Sequence, residues 1–510
     1  MPLLWATQPR VSPDHVDGGA RVAVTCAEPA QAGMGGQRHG EYLMTGSSSV
    51  GDWLQRRQAP IAFVLGLLFL WAVQYRARIS GFHWDSSLYW DLANPADFQA
   101  DTKTFRGYVF PFCLYLIRQL TEMAANPISA YGAAACVIYA ALLTVVAPKW
   151  FVAMFGGELS LGRRIVPVVL LGILFPGLIL YPLSDLPALL LSWGGLFSVY
   201  RAAAARTSGG RGCVYWLVLA GVLAGAAYNV RPIYIFMVPT IVLLIVLMFA
   251  RMRVTAIGAA LLGLVMVSLP QAMFNLKGND EFTPLVTLPM PGKNSLFVLH
   301  LMSGMTIQRY ETTFDGGVSY PDPAGKRLVK KLKQHEQLAT HEEYWAGTAP
   351  KTSVSDYVRM VARYPLDFLG IYARHVVNGL DVRDGRAYLS KPSVESNGRS
   401  VFNFLVLALA TWTLLVRRVT NPDTASEPRV PRLWWVGLLA ILLPMAAIIP
   451  GVVETRYFLP LHLLAYCVIA FYLRPKEVWT YLKSHPTWLL VTAMVGGLYF
   501  SIVLSAMAQI

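Results

Sequence analysis

Charge is scarce in this sequence, and negative charge is the scarcest. Only 14% of the 510 residues are charged, and 29 Asp and Glu stand against 43 Lys and Arg. Soluble domains carry about a quarter charged residues, so an ordinary soluble protein is excluded. The 55% hydrophobic composition and the mean hydropathy of +0.46 instead predict an all-α polytopic membrane protein.

Cysteine is also rare, and several familiar motifs are missing. The five cysteines are scattered without metal-ligand spacing, which argues against a disulfide framework or a zinc site. No phosphate-binding glycine loop and no Gly-x-Ser-x-Gly elbow occurs. The formal net charge of +14 is spread over short connections rather than a basic soluble domain, so no nucleic-acid partner is expected.

Apolar runs of bilayer length, roughly 17–25 residues, recur along the chain. Eleven of them are predicted to be transmembrane helices, within a range of about 10 to 13: 60–77, 128–152, 163–181, 185–203, 213–229, 232–250, 254–274, 400–417, 433–450, 457–474 and 487–507. The segment 108–120 is interrupted by Arg118 after about ten apolar residues, which suits an interfacial or re-entrant helix.

Basic residues divide the short connections into two alternating sets. One set holds nearly all of the arginines and lysines, and the other holds only Arg231 and Arg456. The positive-inside rule places the basic set and the N-terminus in the cytoplasm. The other set, which we call the outer connections, then faces the opposite side.

Four regions follow from this topology. Residues 1–57 are aperiodic and rich in small residues, which predicts a disordered cytoplasmic tail. Residues 58–275 form a transmembrane module whose first outer loop, 78–126, carries interfacial helices. Residues 276–398 form a large outer loop with the basic amphipathic run "KRLVKKLK" and a membrane-lying helix near 355–380, and residues 399–510 supply the C-terminal transmembrane helices.

Two carboxylates stand in the outer connections. Asp85 begins "DSSLYWDLA", which puts Tyr89 and Ala93 on its own face of a helix, and Asp185 lies in the proline-flanked turn "YPLSDLP". Either residue could be an ordinary helix N-cap. Alternatively, a partly desolvated carboxylate at the membrane edge could act as a general base toward a hydroxyl.

Two arginines oppose the charge bias of these connections. Arg231 lies in "NVRPIY" and Arg456 in "ETRYFLP". Each could pair with Glu454 or a lipid headgroup, or could bind a substrate phosphate, whose geometry the planar guanidinium matches. The sequence alone leaves these alternatives open.

Taken together, these motifs resemble the GT-C superfamily of glycosyltransferases, which use polyprenyl-phosphate-linked sugars. The likeness is strongest to the protein O-mannosyltransferase and lipid A aminoarabinose transferase group. "DSSLYWDLA" is similar to the family's acid–Tyr–small-residue element, and "RGYVFPFCLYLI" to its arginine- and proline-containing approach to the next helix. "YPLSDLP" resembles its second outer acid and "ETRYFLP" its late Arg-Tyr element, whereas Ser86 stands where the family usually has another acid.

The resemblance implies a GT-C-like bundle in the bacterial cytoplasmic (inner) membrane, with its active site on the periplasmic face. It implies inverting transfer of a hexosyl or pentosyl group from a polyprenyl-phosphate donor to a glycan, lipid or protein hydroxyl. Asp85 would be the general base and Asp185 the second catalytic acid; a divalent metal, if any, would bind these two. Substrate binding would fall to His83, Tyr89, Arg106, Arg231, Glu454, Arg456 and Tyr457.

Two other classes of function stay open from the sequence. An oligosaccharide ligase or polymerase would depend on outer-loop histidines, here His335, His341 and His375. A lipid or solute transporter would need ionisable groups near the middle of its spans, where His462 is the main candidate.

Overall fold

A computed structural model of the protein describes residues 57–94, 96, 106–122, 124, 126–207, 212–286, 295–333, 351–391, 396–420 and 433–508. The predicted N-terminal tail up to residue 56 lies outside the described residues, as do His335 and His341. Within the described part, helices dominate and one two-stranded hairpin lies in the large loop.

The helices are α1 (Gln58–Ala77), α2 (Asp85–Leu92), α3 (Val109–Glu122), α4 (Pro127–Ala141), α5 (Ala147–Phe155), α6 (Leu161–Leu174), α7 (Gly177–Leu180), α8 (Asp185–Thr207), α9 (Gly212–Val230), α10 (Met237–Met248), α11 (Arg253–Asn279), α12 (Leu296–Gly304), α13 (Pro323–Lys333), α14 (Val354–Arg363), α15 (Pro365–Leu380), α16 (Asn397–Thr420), α17 (Trp434–Ile448), α18 (Leu459–Tyr472), α19 (Pro475–Ser484) and α20 (Thr487–Met507). Strands β1 (Ile307–Thr313) and β2 (Gly316–Pro321) pair antiparallel. A π turn, Leu142–Val146, joins α4 to α5, and 3₁₀ turns cover Pro232–Phe236 and Thr455–Phe458.

The polytopic all-α prediction holds in its coarse form. Among the described residues, eight helices are long and apolar enough to cross a membrane. The predicted spans 232–250 and 433–450 form shorter apolar helices, Pro232–Met248 and Trp435–Ile448. The predicted span 163–181 is interrupted, because α6 ends ahead of Pro176 and α7 is a single turn. A residue before proline is disfavoured in helical conformation, which explains the break. Eleven transmembrane helices therefore remain a prediction.

The short apolar segment at 108–120 forms α3, which has 14 residues. Its length is about 21 Å at about 1.5 Å per residue, less than the roughly 30 Å of a hydrocarbon core. Phe112 and Leu116 are exposed, whereas Phe110 and Leu114 on the opposite face are buried. This helix has the length and two-faced character of an interfacial element.

Close helix packing joins α9 to α11 through glycine. Gly221 of α9 lies against the backbone carbonyl of Ala260, and Gly263 of α11 lies against that of Val218. Neither position has room for a Cβ atom. Small residues allow this close approach between membrane helices, where dispersion forces and not apolar burial hold the pair together.

The large loop has an apolar core of its own. Leu328 and Leu332 of the basic run "KRLVKKLK" are buried together with Met360 of α14 and Phe368 and Ile371 of α15. The helix predicted near 355–380 is divided, with α14 ending at Arg363 and α15 starting at Pro365. Part of its apolar face is therefore covered by protein, and its contact with the membrane remains a prediction.

The two sets of connections lie at opposite ends of the helices. Asp185 begins α8 and Arg206 lies in its last turn; the 23 residues of this helix extend about 34 Å. At the Arg206 end, Arg163 pairs with Glu158 at 3.1 Å, and Arg474 also approaches Glu158 at 3.7 Å. The outer connections meet at the Asp185 end, where the candidate site lies.

Candidate functional site

Four separate helix ends bring the predicted site residues together. Asp85 and Asp185 are the first residues of α2 and α8, Arg231 directly follows α9, and Arg456 lies in the 3₁₀ turn before α18. Pro187 fits the first turn of α8, where a missing N–H leaves no hydrogen bond unmade. Three carboxylates and three arginines pair with one another here, and we call these six residues the site cluster: Asp85, Asp185, Glu454, Arg106, Arg231 and Arg456.

Both carboxylate oxygens of Asp85 accept hydrogen bonds from arginines. Its Oδ1 accepts a hydrogen bond from Arg106, and Arg456 Nη2 donates to its Oδ2 at 3.1 Å. Burial alone would raise the pKa of Asp85, but the guanidinium groups of Arg106, Arg456 and Arg231 together lower it to about 2. The N-cap position of α2 belongs to Trp84 and not to Asp85, and no side chain caps the helix there. The contacts of Asp85 therefore favour ion pairing over helix capping.

Asp185 lies deeper than Asp85. Arg231 Nη1 is 2.6 Å from its Oδ1, and Arg456 Nη1 is 4.0 Å from its Oδ2. The Asp185 side chain is 4% exposed, against 30% for Asp85. Arg456 therefore lies between the two carboxylates that the sequence singled out.

Glu454 completes the partners of Arg456. Its Oε2 accepts a hydrogen bond from Arg456 Nε at 2.6 Å, and its Oε1 accepts from the Tyr457 hydroxyl at 3.0 Å. The Tyr457 ring also lies beneath Arg231, with the guanidinium carbon 4.7 Å from the ring centre. Such a cation–π contact holds an arginine in place and leaves its N–H groups available.

Tyr89 contacts the same cluster from α2. Its hydroxyl donates to Ser184 Oγ at 3.1 Å, and Arg106 Nη1 donates to it at 3.4 Å. In total, three carboxylates (Asp85, Asp185 and Glu454) face three guanidinium groups (Arg106, Arg231 and Arg456). These formal charges cancel, so the cluster has no unbalanced positive charge.

Two cavities adjoin Arg456. The first holds about 290 Å³ of empty space, a figure that includes space open to solvent, and is bounded on its polar side by Asp185, Arg231 and Arg456. Its other walls are Ile233, Tyr234, Pro444, Met445, Ile448, Tyr457, Leu459 and Pro460. The second holds about 280 Å³, counted in the same way, and is lined by Phe175, Leu178, Asp384, Gly385, Ala387, Glu454, Thr455 and Arg456. One cavity is thus largely apolar, and the other has two acids.

His83 lies beside the site cluster and not within it. Its ring packs on Phe314 at 4.5 Å between centroids and approaches Tyr388 at 6.0 Å. The Tyr388 hydroxyl accepts a hydrogen bond from the backbone N–H of Ser86 at 3.0 Å, next to Asp85. Of the nine residues predicted for the site, His83 is the one on the periphery.

Sequence reasoning missed the contribution of the large loop. Asp384 accepts a hydrogen bond from the Thr455 hydroxyl at 2.6 Å and lines the second cavity. Burial raises the pKa of Asp384 to about 6, despite the nearby guanidinium of Arg309. The acids of "DVRDGR" were the available signal, but their spacing matches no recognised motif.

The residues do not fit a divalent metal at Asp85 and Asp185. Each carboxylate is paired with a guanidinium group, which supplies the positive charge that a metal would bring. Among the described residues, no group of three or more His, Cys, Asp or Glu side chains is placed to hold a metal.

Two histidines of the competing functions, His375 and His462, fall among the described residues, and both are buried. His375 is 0% exposed, and its two ring nitrogens lie 2.6 Å from the Ile449 carbonyl and 3.0 Å from the Ile307 carbonyl. Burial lowers the pKa of His375, which suits a structural position. His462, also 0% exposed, packs against Phe175 with ring centres 5.1 Å apart. Neither histidine reaches the site cluster.

No protein-family model matches this chain, and no curated protein matches it either. The likeness to GT-C glycosyltransferases thus remains an interpretation of short motifs. The geometry of the site cluster and its cavities is the basis on which a function can be proposed.

Proposed function

We propose that the protein is a membrane glycosyltransferase that moves a sugar from a polyprenyl-phosphate-linked donor to an acceptor hydroxyl. The reaction takes place at the outer face of the bacterial cytoplasmic membrane. The observation that supports this best is the site cluster itself, in which carboxylates and arginines converge beside an apolar cavity at one end of membrane-length helices.

The first cavity suits the phosphate end of the donor. Arg231 and Arg456 offer guanidinium groups that match phosphate oxygens, while Ile233, Met445 and Ile448 offer an apolar surface for the first isoprene units. The remainder of a polyprenyl chain would extend into the lipid bilayer.

Asp85 is the proposed general base. It takes the proton of the acceptor hydroxyl as that oxygen bonds to the anomeric carbon of the donor sugar. The bond from the anomeric carbon to the phosphate oxygen breaks, and its electron pair leaves with the lipid phosphate. Arg231 and Arg456 stabilise the negative charge that develops there. A single displacement of this kind inverts the anomeric centre.

A carboxylate with a pKa of about 2 is a weak base, so Asp85 must change partners before it reacts. The cluster has no unbalanced positive charge, and an incoming donor phosphate therefore competes with the carboxylates for the arginines. When the phosphate takes Arg456, Asp85 loses one of the three guanidinium groups that lower its pKa. Donor binding would in this way activate the base.

The decisive experiment replaces Asp85. Asp85→Asn should lower the transfer rate about 10²- to 10⁴-fold, the usual contribution of a general base, when purified protein is supplied with labelled polyprenyl-phosphate hexoses and pentoses. Donor binding should persist or tighten, because Arg106 and Arg456 lose a competitor. Asp91→Asn is the matched control, since Asp91 is exposed on the same helix and accepts from Ser87. Wild-type transfer by Asp85→Asn would refute the assignment.

Arg231 is the corresponding test of donor binding. Arg231→Lys keeps the positive charge beside Asp185 but replaces the planar guanidinium, which can bind phosphate with two N–H groups, by a single ammonium. We therefore expect at least about tenfold weaker binding of the lipid donor. The measurement is a binding titration with the polyprenyl-phosphate sugar in detergent. Unchanged affinity would show that Arg231 serves Asp185 alone.

A further inference from the structure

An exposed aromatic residue stands directly beside the proposed base. Trp84 precedes Asp85 and is 54% exposed, yet its indole N–H donates to the Phe314 carbonyl at 3.1 Å. Its backbone has φ 46° and ψ −119°, a conformation that side-chain-bearing residues rarely adopt. Strain of this kind persists where surrounding contacts enforce it, and it concentrates at functional sites.

The hairpin of the large loop holds the second ring. Phe314 lies in the turn between β1 and β2, is 37% exposed, and packs on the ring of His83. Its backbone N–H donates to the Leu389 carbonyl at 2.9 Å, and Tyr310 N–H donates to the Val453 carbonyl at 3.0 Å. The hairpin is therefore fixed both to the end of the large loop and to the residue before Glu454.

We propose that Trp84, Phe314 and His83 form an acceptor subsite that binds a sugar ring, so that the acceptor is a glycan. The proposal rests on the glycosyl transfer proposed above and names the acceptor that this transfer leaves open. The flat indole, oriented by its own hydrogen bond, matches the C–H face of a pyranose ring and loses little entropy on binding.

The position of the subsite fits the chemistry. Trp84 and Asp85 are consecutive, so their Cα atoms are about 3.8 Å apart. The same surface reaches Asp85 through Tyr388, which approaches the His83 ring at 6.0 Å and accepts a hydrogen bond from the backbone N–H of Ser86, the residue after Asp85. In the proposed arrangement, a sugar ring stacked on Trp84 lies beside the carboxylate that takes the proton. The Asp85 side chain is 30% exposed and so accessible to an acceptor, whereas that of Asp185 is 4% exposed.

A glycan fits this surface better than a peptide or a lipid does. A peptide acceptor that added a strand to the hairpin could not use β1, which already bonds to β2 on one side and to Leu389 and Val453 on the other. An acyl chain would need a continuous apolar groove, whereas the rings of Trp84 and Phe314 are flanked by exposed Asp315 and the partly exposed His83.

The test uses full-length protein in detergent and soluble tetrasaccharides of mannose, glucose and N-acetylglucosamine. Saturation-transfer NMR should detect binding of at least one of them. Trp84→Ala should weaken that binding about tenfold or more, and Trp84→Phe should weaken it less. Trp479→Ala is the matched control, because Trp479 is 59% exposed but lies on α19. Asp85→Asn should keep saccharide binding while transfer is lost.

The outcomes separate this proposal from the one on which it rests. No binding by any tetrasaccharide, or unchanged binding by a folded Trp84→Ala variant, overturns the acceptor subsite even if Asp85→Asn abolishes transfer. Displacement of the sugar by serine- and threonine-containing peptides at equal concentration overturns the glycan assignment. Wild-type transfer by Asp85→Asn overturns the enzyme mechanism, whereas Trp84-dependent sugar binding still supports the subsite.

Discussion

Two arginine–carboxylate clusters of similar composition lie in this molecule, and they differ in access to solvent. The site cluster borders two cavities, and its Asp85 side chain is 30% exposed. A second group, here called the loop cluster, consists of Arg309, Glu311, Asp381, Arg383 and Asp384. Its Arg309 and Asp381 side chains are 1% and 0% exposed, and of its five residues Asp384 alone, at 9%, lines the second cavity.

The residues of the loop cluster hold one another in a buried network of ion pairs and hydrogen bonds. Arg309 lies 3.0 Å from Glu311, 3.0 Å from Asp381 and 3.1 Å from Asp384. Asp381 also accepts hydrogen bonds from Ser400 of α16 and from Tyr499 of α20. These bonds join the large loop to two membrane-length helices. The same side-chain chemistry therefore holds the structure together in the loop cluster, whereas in the site cluster we propose that its partners exchange when the donor phosphate binds.

The largest expected effect of a substitution is at Arg309. Arg309→Ala leaves buried carboxylates without this guanidinium, and breaking a buried ion pair typically lowers the free energy of unfolding by about 3–5 kcal/mol. The measurement is the denaturant midpoint of the purified protein in detergent. Transfer activity should fall with it, because Thr455, next to Arg456, is bonded to Asp384.

Arg359 provides the matched control for this comparison. It pairs with Asp356 at 3.3 Å, but the Arg359 side chain is 75% exposed. Exposed pairs contribute roughly 0–1 kcal/mol, so Arg359→Ala should leave the midpoint nearly unchanged. Equal shifts of the denaturant midpoint in Arg309→Ala and Arg359→Ala would show that the loop cluster does not stabilise the fold.

The second prediction contrasts the two clusters by pH. The pKa of Asp384 is raised to about 6, so its protonated form is favoured by folding, and stability falls as pH rises from about 4 through 6. The pKa of Asp85 is lowered to about 2, so its contribution is present above about 4 and is lost as pH falls toward 2. Acidification thus raises the stability that Asp384 contributes and lowers the stability that Asp85 contributes.

Unfolding curves between pH 7 and pH 4 test this contrast. The wild-type protein should gain stability from Asp384 over this range, and Asp384→Asn should lose that gain while keeping an oxygen for Arg309 and Thr455. Asp85→Asn should retain the gain, because Asp85 titrates below the range. A pH profile shared by wild type and Asp384→Asn would contradict the raised pKa.

The sequence was informative for the site cluster because its members lie at the ends of apolar segments. Hydropathy located those ends, and charge asymmetry grouped Asp85, Asp185, Arg231 and Arg456 on one side. The loop cluster had no such signal, since Arg309 and Asp381 are 72 residues apart and meet only through tertiary folding. Long-range pairing in a loop follows neither a hydrophobic period nor a short motif, so its partners could not be predicted.

The same limit applies to the predicted span at 163–181. Its composition is apolar enough for a helix, but the chain breaks where Phe175 precedes Pro176. The four residues of α7 then pack in the core below the large loop, where the Gly177 N–H donates to the Gly385 carbonyl at 2.9 Å. The apolar composition predicts that this segment is buried, but it does not reveal the turn inside the segment.

The smallest effect is expected at a glycine that sets the position of Arg106. Gly107 lies against the backbone carbonyl and side chain of Asn229, leaving no room for a Cβ atom, whereas Gly81 in the same loop has open space around it. Gly107→Ala must displace the backbone beside Arg106, and overpacking typically costs about 1–3 kcal/mol. Gly81→Ala should change stability by no more than about 0.5 kcal/mol. Denaturant midpoints and transfer rates of the two variants, measured side by side, test the difference. If Gly107→Ala retained both, the contact with Asn229 would have no part in holding Arg106 against Asp85.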